Sequence, residues 1–373
     1  MARVVSTIVC SDFFPNGSTA CISEDGKLHV FGYTQTGGKR LNVLTPIPSL
    51  RNIISVDLGW EHMICLDSDG IVYTTGSNQF GQLGIGRARG SLDFVTEIET
   101  VEISKIKQIA CSGTSSFCVS EEGSLYVFGS NYEGRLGFDG DQNIYCPTKL
   151  DIVNDIEFIA CGDIHTFCKT LKGDIYSWGG NESGQLGLGY TSAVEKPSKR
   201  NNYPENIVDI RCGSNHSLIL TEELAVYICG SNEKNLLGKS NVDNVPSFQK
   251  VDGISEIIRI ECGYNHFMCI DVHYNLYIFG FNDFGQLGLN DTINRNIPIK
   301  HPLSKIIDIS SRGNHSFIKT ANNEIYGFGI NNWYQIGIKT TNPIITSPIH
   351  LFQGNEHIWN TNLISSHAKS ARK

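Results

Sequence analysis

At 373 residues, with 40% hydrophobic residues and 38 Gly, the chain is long enough for two ordinary domains and suits an all-β core with many tight turns. Its 30 Lys and Arg stand against 38 Asp and Glu, a net charge of -8, which argues against a nonspecific nucleic-acid binder.

The first stretch, "MARVVSTIVCSDFF", is too short and interrupted for a signal peptide or a membrane span. It reads as a strand that closes a ring with the C-terminal segment around "SPIHLFQ". A degraded repeat, "NGSTACISEDGKLHVFGYTQTGG", follows from Asn16. Fuller copies start at Leu58, Cys111, Cys161, Cys212, Cys262 and Ser311. Two anchors hold the register. One is the His of a Gly-x-x-His turn (His62, His165, His216, His266, His315), replaced by Ser18 and Ser115 in two copies. The other is a Gly fourteen residues later: Gly32, Gly76, Gly129, Gly179, Gly230, Gly280 and Gly329.

Within each copy, runs such as "IYSWG" alternate apolar and polar residues and read as half-buried strands. Gly26, Gly70, Gly123 and Gly173 sit in the hairpin turns between them, where a positive φ is needed. Leu224 and Tyr274 take that place in two copies, which predicts a different turn geometry there. An apolar run such as "IVDIRC" and a Pro-marked segment complete about four strands per copy. The predicted fold is all-β: a seven-bladed β-propeller of four-stranded antiparallel blades, its ring closed by N- and C-terminal strands. Residues 1–360 are expected to form this single domain, and 361–373 a short basic tail.

The chemical motifs dissolve into the repeat. Ten of twelve Cys occupy repeat positions held elsewhere by Leu, Ile, Phe or Ser, which reads as free core thiols in a reducing compartment. Cys161, His165 and Cys168 mimic zinc spacing, but other copies lose single members, so no metal is expected. "GGNESGQLGLG" lacks the strand-to-helix context of a dinucleotide loop and the Lys of a P-loop, so no cofactor is expected. Ser217 and Ser316 directly follow His, but no nucleophile elbow or paired base accompanies them. The repeated His is expected to pin each blade to the next.

"CGDIHTFCKTLKGDIYSWGGNESGQLGLG" and "GFNDFGQLGLN" resemble the repeat of the regulator of chromosome condensation family, and the resemblance covers nearly the whole chain. It implies the seven-bladed fold and, less specifically, a function: the name-giving member is the guanine-nucleotide exchange factor for the small GTPase Ran. Other relatives are ubiquitin-ligase modules or trafficking adaptors. Family exchange factors meet the GTPase through acids in the Gly-x-x-His loops, for which Asp163 and Glu61 are the nearest matches. They also use a longer wedge loop. Every connection after an anchor Gly reads here as ordinary in length, and no basic segment precedes the ring. A cytoplasmic place is therefore expected before a nuclear one.

Varying positions on the two loop sets that share a face carry aromatics (Trp60, Phe80, Tyr132, Tyr264, Phe284, Trp333) and acids (Glu61, Glu133, Asp163, Glu182, Glu233, Asp283). Lys234 is the one base among them. This pattern predicts a protein-binding surface for a basic partner: a Ran-type small GTPase, or another protein held by a non-catalytic scaffold. Neither a membrane nor nucleic acid alone is expected as partner.

Overall fold

The computed structural model describes residues 5–10, 17–23, 25–34, 39–86, 90, 92, 99–103, 105–233, 236–238, 242–340 and 342–351. Blade one is β1 (Val5–Cys10), β2 (Ser18–Ser23), β3 (Leu28–Thr34) and β4 (Lys39–Pro46). Blade two is β5 (Ile53–Leu58), β6 (His62–Asp67), β7 (Val72–Gly76) and β8 (Glu99–Thr100). Blade three is β9 (Ile106–Cys111), β10 (Ser115–Ser120), β11 (Leu125–Gly129) and β12 (Ile144–Lys149). Blade four is β13 (Ile156–Cys161), β14 (His165–Thr170), β15 (Ile175–Gly179) and β16 (Val194–Arg200). Blade five is β17 (Ile207–Cys212), β18 (His216–Thr221), β19 (Val226–Ser231) and β20 (Asn244–Lys250). Blade six is β21 (Ile257–Cys262), β22 (His266–Asp271), β23 (Asn275–Gly280) and β24 (Arg295–Ser304). Blade seven is β25 (Ile306–Arg312), β26 (His315–Thr320), β27 (Ile325–Ile330) and β28 (Ile344–His350). Each blade is one antiparallel four-stranded sheet. Among the described residues no helix is long and apolar enough to cross a membrane.

The first strand of each blade packs against first strands of its neighbours and lines the central channel. Core clusters fill the gaps between blades, because each sheet is apolar on both faces. The anchor Gly pairs with the His position across the sheet, as in His165 with Gly179. At Gly179 the backbone has φ +99, and a side-chain carbon would lie 2.4 Å from the Ile164 carbonyl oxygen. Both conformation and space therefore demand Gly.

The turn geometry at Leu224 and Tyr274 is the same as in the Gly copies, contrary to the expectation of a different one. Their φ values are 59 and 62, against 70 to 84 at the four glycines. Leu224 N–H donates to the Thr221 carbonyl at 2.9 Å, as Gly26 N–H does to Ser23 at 2.8 Å. The two flanking strands fix the hairpin, and the side chain accepts a left-handed backbone that costs about 1–2 kcal/mol. Glycine there forfeits about 0.5–1 kcal/mol of chain entropy. Leu224→Gly and Tyr274→Gly are therefore each expected to leave stability unchanged or raise it by up to about 1 kcal/mol. A urea midpoint lowered by either change contradicts this.

The ring closes between blades one and seven, but not through a shared sheet. β1 pairs with β2, β28 pairs with β27, and each terminal blade is contiguous in sequence. The N-terminal strand meets the last blade by packing of β1 on β25. Phe31 lies edge-to-face on Phe317 at 6.2 Å, within a cluster that also holds Cys21 and Ile318. In blade two the Leu92 N–H donates to the Gly76 carbonyl at 2.7 Å, so the outer strand meets the anchor Gly there at the spacing seen where Gly329 pairs with Ile345. Residues 87–89, 91 and 93–98 lie outside the described residues, as do Lys234 and the expected tail at 361–373.

Candidate functional site

The predicted binding positions lie on loops whose frames are fixed from below. In the connections after the anchor Gly, an Asn side chain closes the turn. Asn181 Oδ1 accepts the Leu186 N–H at 2.9 Å, and its amide donates to the Tyr190 and Ser192 carbonyls at 2.8 and 3.0 Å. Asn131, Asn232, Asn282 and Asn331 repeat the first bond. A Gln four residues on accepts the N–H of the loop tip: Phe80 to Gln82, Ser183 to Gln185, Phe284 to Gln286, Trp333 to Gln335. The Gly-rich tract is thus a rigid blade connection.

These connections share one face with the Gly-x-x-His loops, since Ser77, Ser130, Gly180 and Ser231 donate to Glu61, Thr114, Ile164 and Asn215. The Gly-x-x-His loops are themselves stitched into a collar round the channel. Trp60 N–H donates to Gly113 at 2.8 Å, Gly113 to Asp163 at 3.1 Å, and Tyr264 to Gly313 at 2.8 Å.

The buried His staple the blades. Nε2 of His62, His165 and His266 lies 2.9, 2.8 and 2.7 Å from the hydroxyls of Ser116, Ser217 and Ser316, each in the following blade. His315 closes the ring onto Thr19 at 3.0 Å. Each hydroxyl donates its proton to a Gln carbonyl, as Ser217 does to Gln185 at 2.8 Å. It must therefore accept from the imidazole, so Nε2 carries hydrogen. Sequence reading found no paired base for Ser217 and Ser316, yet each has a His within hydrogen-bond reach. The proton direction is wrong for a nucleophile, and both serines are fully buried. His216 faces the Phe267 ring at 4.5 Å instead of a hydroxyl. Burial drives all five imidazoles down to about 3, so they are neutral. The Gly of the motif exists for this ring: a side-chain carbon at Gly162 would sit 2.2 Å from His165 Cε1.

The predicted binding residues separate by exposure. Phe80, Tyr132, Glu182 and Asp283 are exposed at loop tips. Trp60, Glu61, Glu133, Tyr264, Phe284 and Trp333 are half-buried. Trp333 packs edge-to-face on Tyr33 at 4.9 Å, and Phe284 on Phe281 at 5.9 Å. Asp163 is corrected: it is 5% exposed, inside the collar and not on the rim. Burial raises its carboxyl above the usual range, opposed by Arg312, the Trp60 indole, Arg135 and Ser214. Glu133 adopts φ 56 and turns its carboxylate against Gly180 of the next blade. Tyr132 and Glu182 form one patch across blades three and four. The Tyr132 phenol is raised first by its hydrogen bond to Glu133, with Glu182 and Asp141 adding to the effect.

Sequence reading missed two arginines. Arg135 replaces the loop Gln in blade three, one of the two blades with Ser in place of His. It is buried and donates to the Asp163 carbonyl at 3.3 Å, to Thr114 Oγ1 at 3.3 Å and to Tyr132 O at 3.1 Å. Arg312 stands where the Gly of Gly-x-x-His is found in other copies. It crosses the channel to Asp57 Oδ1 at 3.0 Å and the Cys111 carbonyl at 3.1 Å. A lone Arg at a Gly repeat position was the available signal for it.

Residues 2–240 match the RCC1-like domain, and 225–270 and 275–318 match the regulator of chromosome condensation (RCC1) repeat. The chain belongs to the RCC1-like family. This RCC1-like propeller is 32% identical over 249 residues to the human E3 ubiquitin-protein ligase HERC2, which covers 62% of this chain and 5% of that protein. It is 37% identical over 231 residues to the human X-linked retinitis pigmentosa GTPase regulator, covering 59% and 22%. The matched segment thus spans a small part of these curated relatives. Prp20p of Saccharomyces cerevisiae, solved with a study of its binding to Gsp1p and histones, superposes with TM-score 0.75 at 19% identity, covering 95% of this chain and 87% of that one. Human WBSCR16 superposes with TM-score 0.75 at 19% identity, covering 85% and 87%. These structures share the fold. The RCC1-like propeller is a protein-binding module, and its loop face is the candidate site.

Proposed function

We propose that this propeller binds a small GTPase of the Ran type through its loop face and speeds release of the bound nucleotide. The observation that carries the reading is the exposed patch of Tyr132 and Glu182, with Phe80 beside it in blade two and Asp283 in blade six. Aromatic anchors among acids suit a partner with a basic surface. The names of the GTPase regulator and of Prp20p with Gsp1p support the choice of partner class. The mechanism is coupling: a face that binds the nucleotide-free GTPase more tightly must lower nucleotide affinity by the same factor. The propeller itself makes or breaks no bond in this reading.

The test is release of fluorescent GDP from a Ran-type GTPase with and without the full chain. Acceleration is expected, suppressed by excess free nucleotide. The Glu182→Lys, Asp283→Lys double variant is expected to lose at least about tenfold of the rate, and more at low salt. Binding without acceleration favours a second reading, a non-catalytic docking scaffold. That reading is supported by the small share, 5% and 22%, that the matched segment occupies in the two curated relatives. No effect of the double variant on either binding or rate removes the loop-face assignment.

A further inference from the structure

The face opposite the loops carries the hairpin turns and the linkers between blades. In every blade the inner strand is bulged near its start on this face, as between Ile53 and Ser55 or Ile257 and Arg259. A bulge turns one residue out of the ladder. In blade six that residue is Ile258, 42% exposed. Leu224 and Tyr274, large residues held at positive φ in the hairpin turns of blades five and six, flank it. The Leu224 carbonyl accepts the N–H of Ile257 at 3.0 Å, directly beside Ile258. Ile257 also pairs with Asp271, which opens the turn that ends in Tyr274. Tyr274 is 43% exposed.

The turn itself does not require a large side chain at these two positions. Glycine makes the same turn in blades one to four, and Asn323 makes it in blade seven. Adjacent blades five and six alone place a large apolar side chain there, and both chains are wholly or partly open to solvent. Strain of this kind is retained where the side chain has a use outside the fold. Around the three apolar residues stand the exposed acids Glu222, Glu223 and Glu256. Glu223 is tied to Asn206 at 3.0 Å, and the Glu256 carbonyl accepts the Val272 N–H at 3.0 Å, which fixes that acid beside the second turn. His273 lies 3.9 Å from Glu256, and Lys305 bounds the patch on the linker into blade seven.

We propose that the turn face of blades five and six is a second docking surface, and that its occupant is a basic amphipathic segment of a partner protein. The apolar stripe of such a segment covers Leu224, Ile258 and Tyr274, and its Lys or Arg flanks meet the three glutamates. The surface lies on the opposite side of the ring from the GTPase patch and stands independently of that reading. It gives the propeller two faces for two partners at once.

The test uses the full chain and a fluorescein-labelled Leu/Lys peptide with leucines at helical spacing, and a Leu/Glu peptide of identical spacing. Fluorescence anisotropy is expected to show saturable, salt-sensitive binding of the Leu/Lys peptide alone. Leu224→Gly, Tyr274→Gly, a double variant that restores the glycine turn of the other blades, is expected to weaken it by at least about tenfold. Glu182→Lys, Asp283→Lys on the loop face is expected to change it by less than about twofold, since the two faces are distant and screened. Amide exchange with the peptide bound is expected to slow at the turns around 222–226 and 272–276. The proposal is overturned by any of four results: no saturable binding, equal binding by the glycine variant, equal binding of the Leu/Glu peptide, or protection on the loop face. Failure of the parent chain to accelerate GDP release, with peptide binding retained, would sink the GTPase reading alone.

Discussion

Lowering the pH from 7 to about 5 is expected to unfold the propeller cooperatively. The five staple imidazoles are held at about 3 by burial, against 6.5 in the unfolded chain. Between these values the unfolded state binds more protons than the folded one, so stability rises with pH across the window and is lost as pH falls below 6.5. At pH 5.5 each imidazole costs on the order of 1 kcal/mol, and the five together several kcal/mol. That equals a large share of the 5–15 kcal/mol typical of a folded protein. Glu261 opposes the trend, because burial raises its carboxyl to about 6 and acid then favours the fold. Its contribution at pH 5.5 is about 1 kcal/mol, too small to reverse the sign. Urea unfolding followed by Trp fluorescence is expected to show stability falling by about 6 kcal/mol per pH unit near pH 5.5. His216→Leu, which removes the imidazole that has an aromatic neighbour in place of a hydroxyl, is expected to cut that slope by about one proton. A stability flat from pH 7 to 5 would falsify the neutral-staple account.

What was legible in the sequence followed from the repeat. A fourteen-residue interval between His and Gly, kept in seven copies, is a statement about a cross-strand pair, and His165 does pair with Gly179. Blade number, strand alternation and the inter-blade role of His came from that regularity. The misread features are those whose cause lies outside one copy. Leu224 and Tyr274 break the turn rule locally, yet the strands on either side impose the glycine conformation. Asp163 sits in a loop motif that looks exposed, but the collar of neighbouring loops and Arg135 from the preceding blade bury it. Its direction depends on ring packing, which single-copy reading does not contain. Loop-tip aromatics were better read: Phe80 and Tyr132 are exposed because their loops close below them through Asn and Gln or Arg side chains.

Arg312→Ala is expected to be the most damaging single change in the channel, costing about 3 kcal/mol. The terminal blades share no sheet, so closure rests on packing at the seam and on bonds that cross the channel. Ion pairs run along the inner strands: Arg211 with Glu261 at 4.0 Å between blades five and six, Arg259 with Asp308 between six and seven. Arg312 extends this line from blade seven over blade one to Asp57 of blade two, and its second N–H reaches the Cys111 carbonyl of blade three. Asp57 in turn accepts the Cys111 N–H at 2.7 Å, so three blades meet at one guanidinium and one carboxylate. Truncating the arginine leaves Asp57 with the backbone N–H groups of Leu58 and Cys111 and no counter-charge in a site that is about one-fifth exposed. The penalty of that orphaned charge, rather than the net worth of the pair, sets the cost. Arg312→Lys is expected to recover less than half of it, because one ammonium cannot match a planar fork with two separate acceptors. Asp57→Asn combined with Arg312→Met is expected to lie closer to the parent than Arg312→Ala alone. Urea midpoints of the three variants decide the point. If Arg312→Ala and Arg312→Lys both unfold with the parent, the seam packing of Phe31 on Phe317 and the His315–Thr19 staple close the ring without help from the channel.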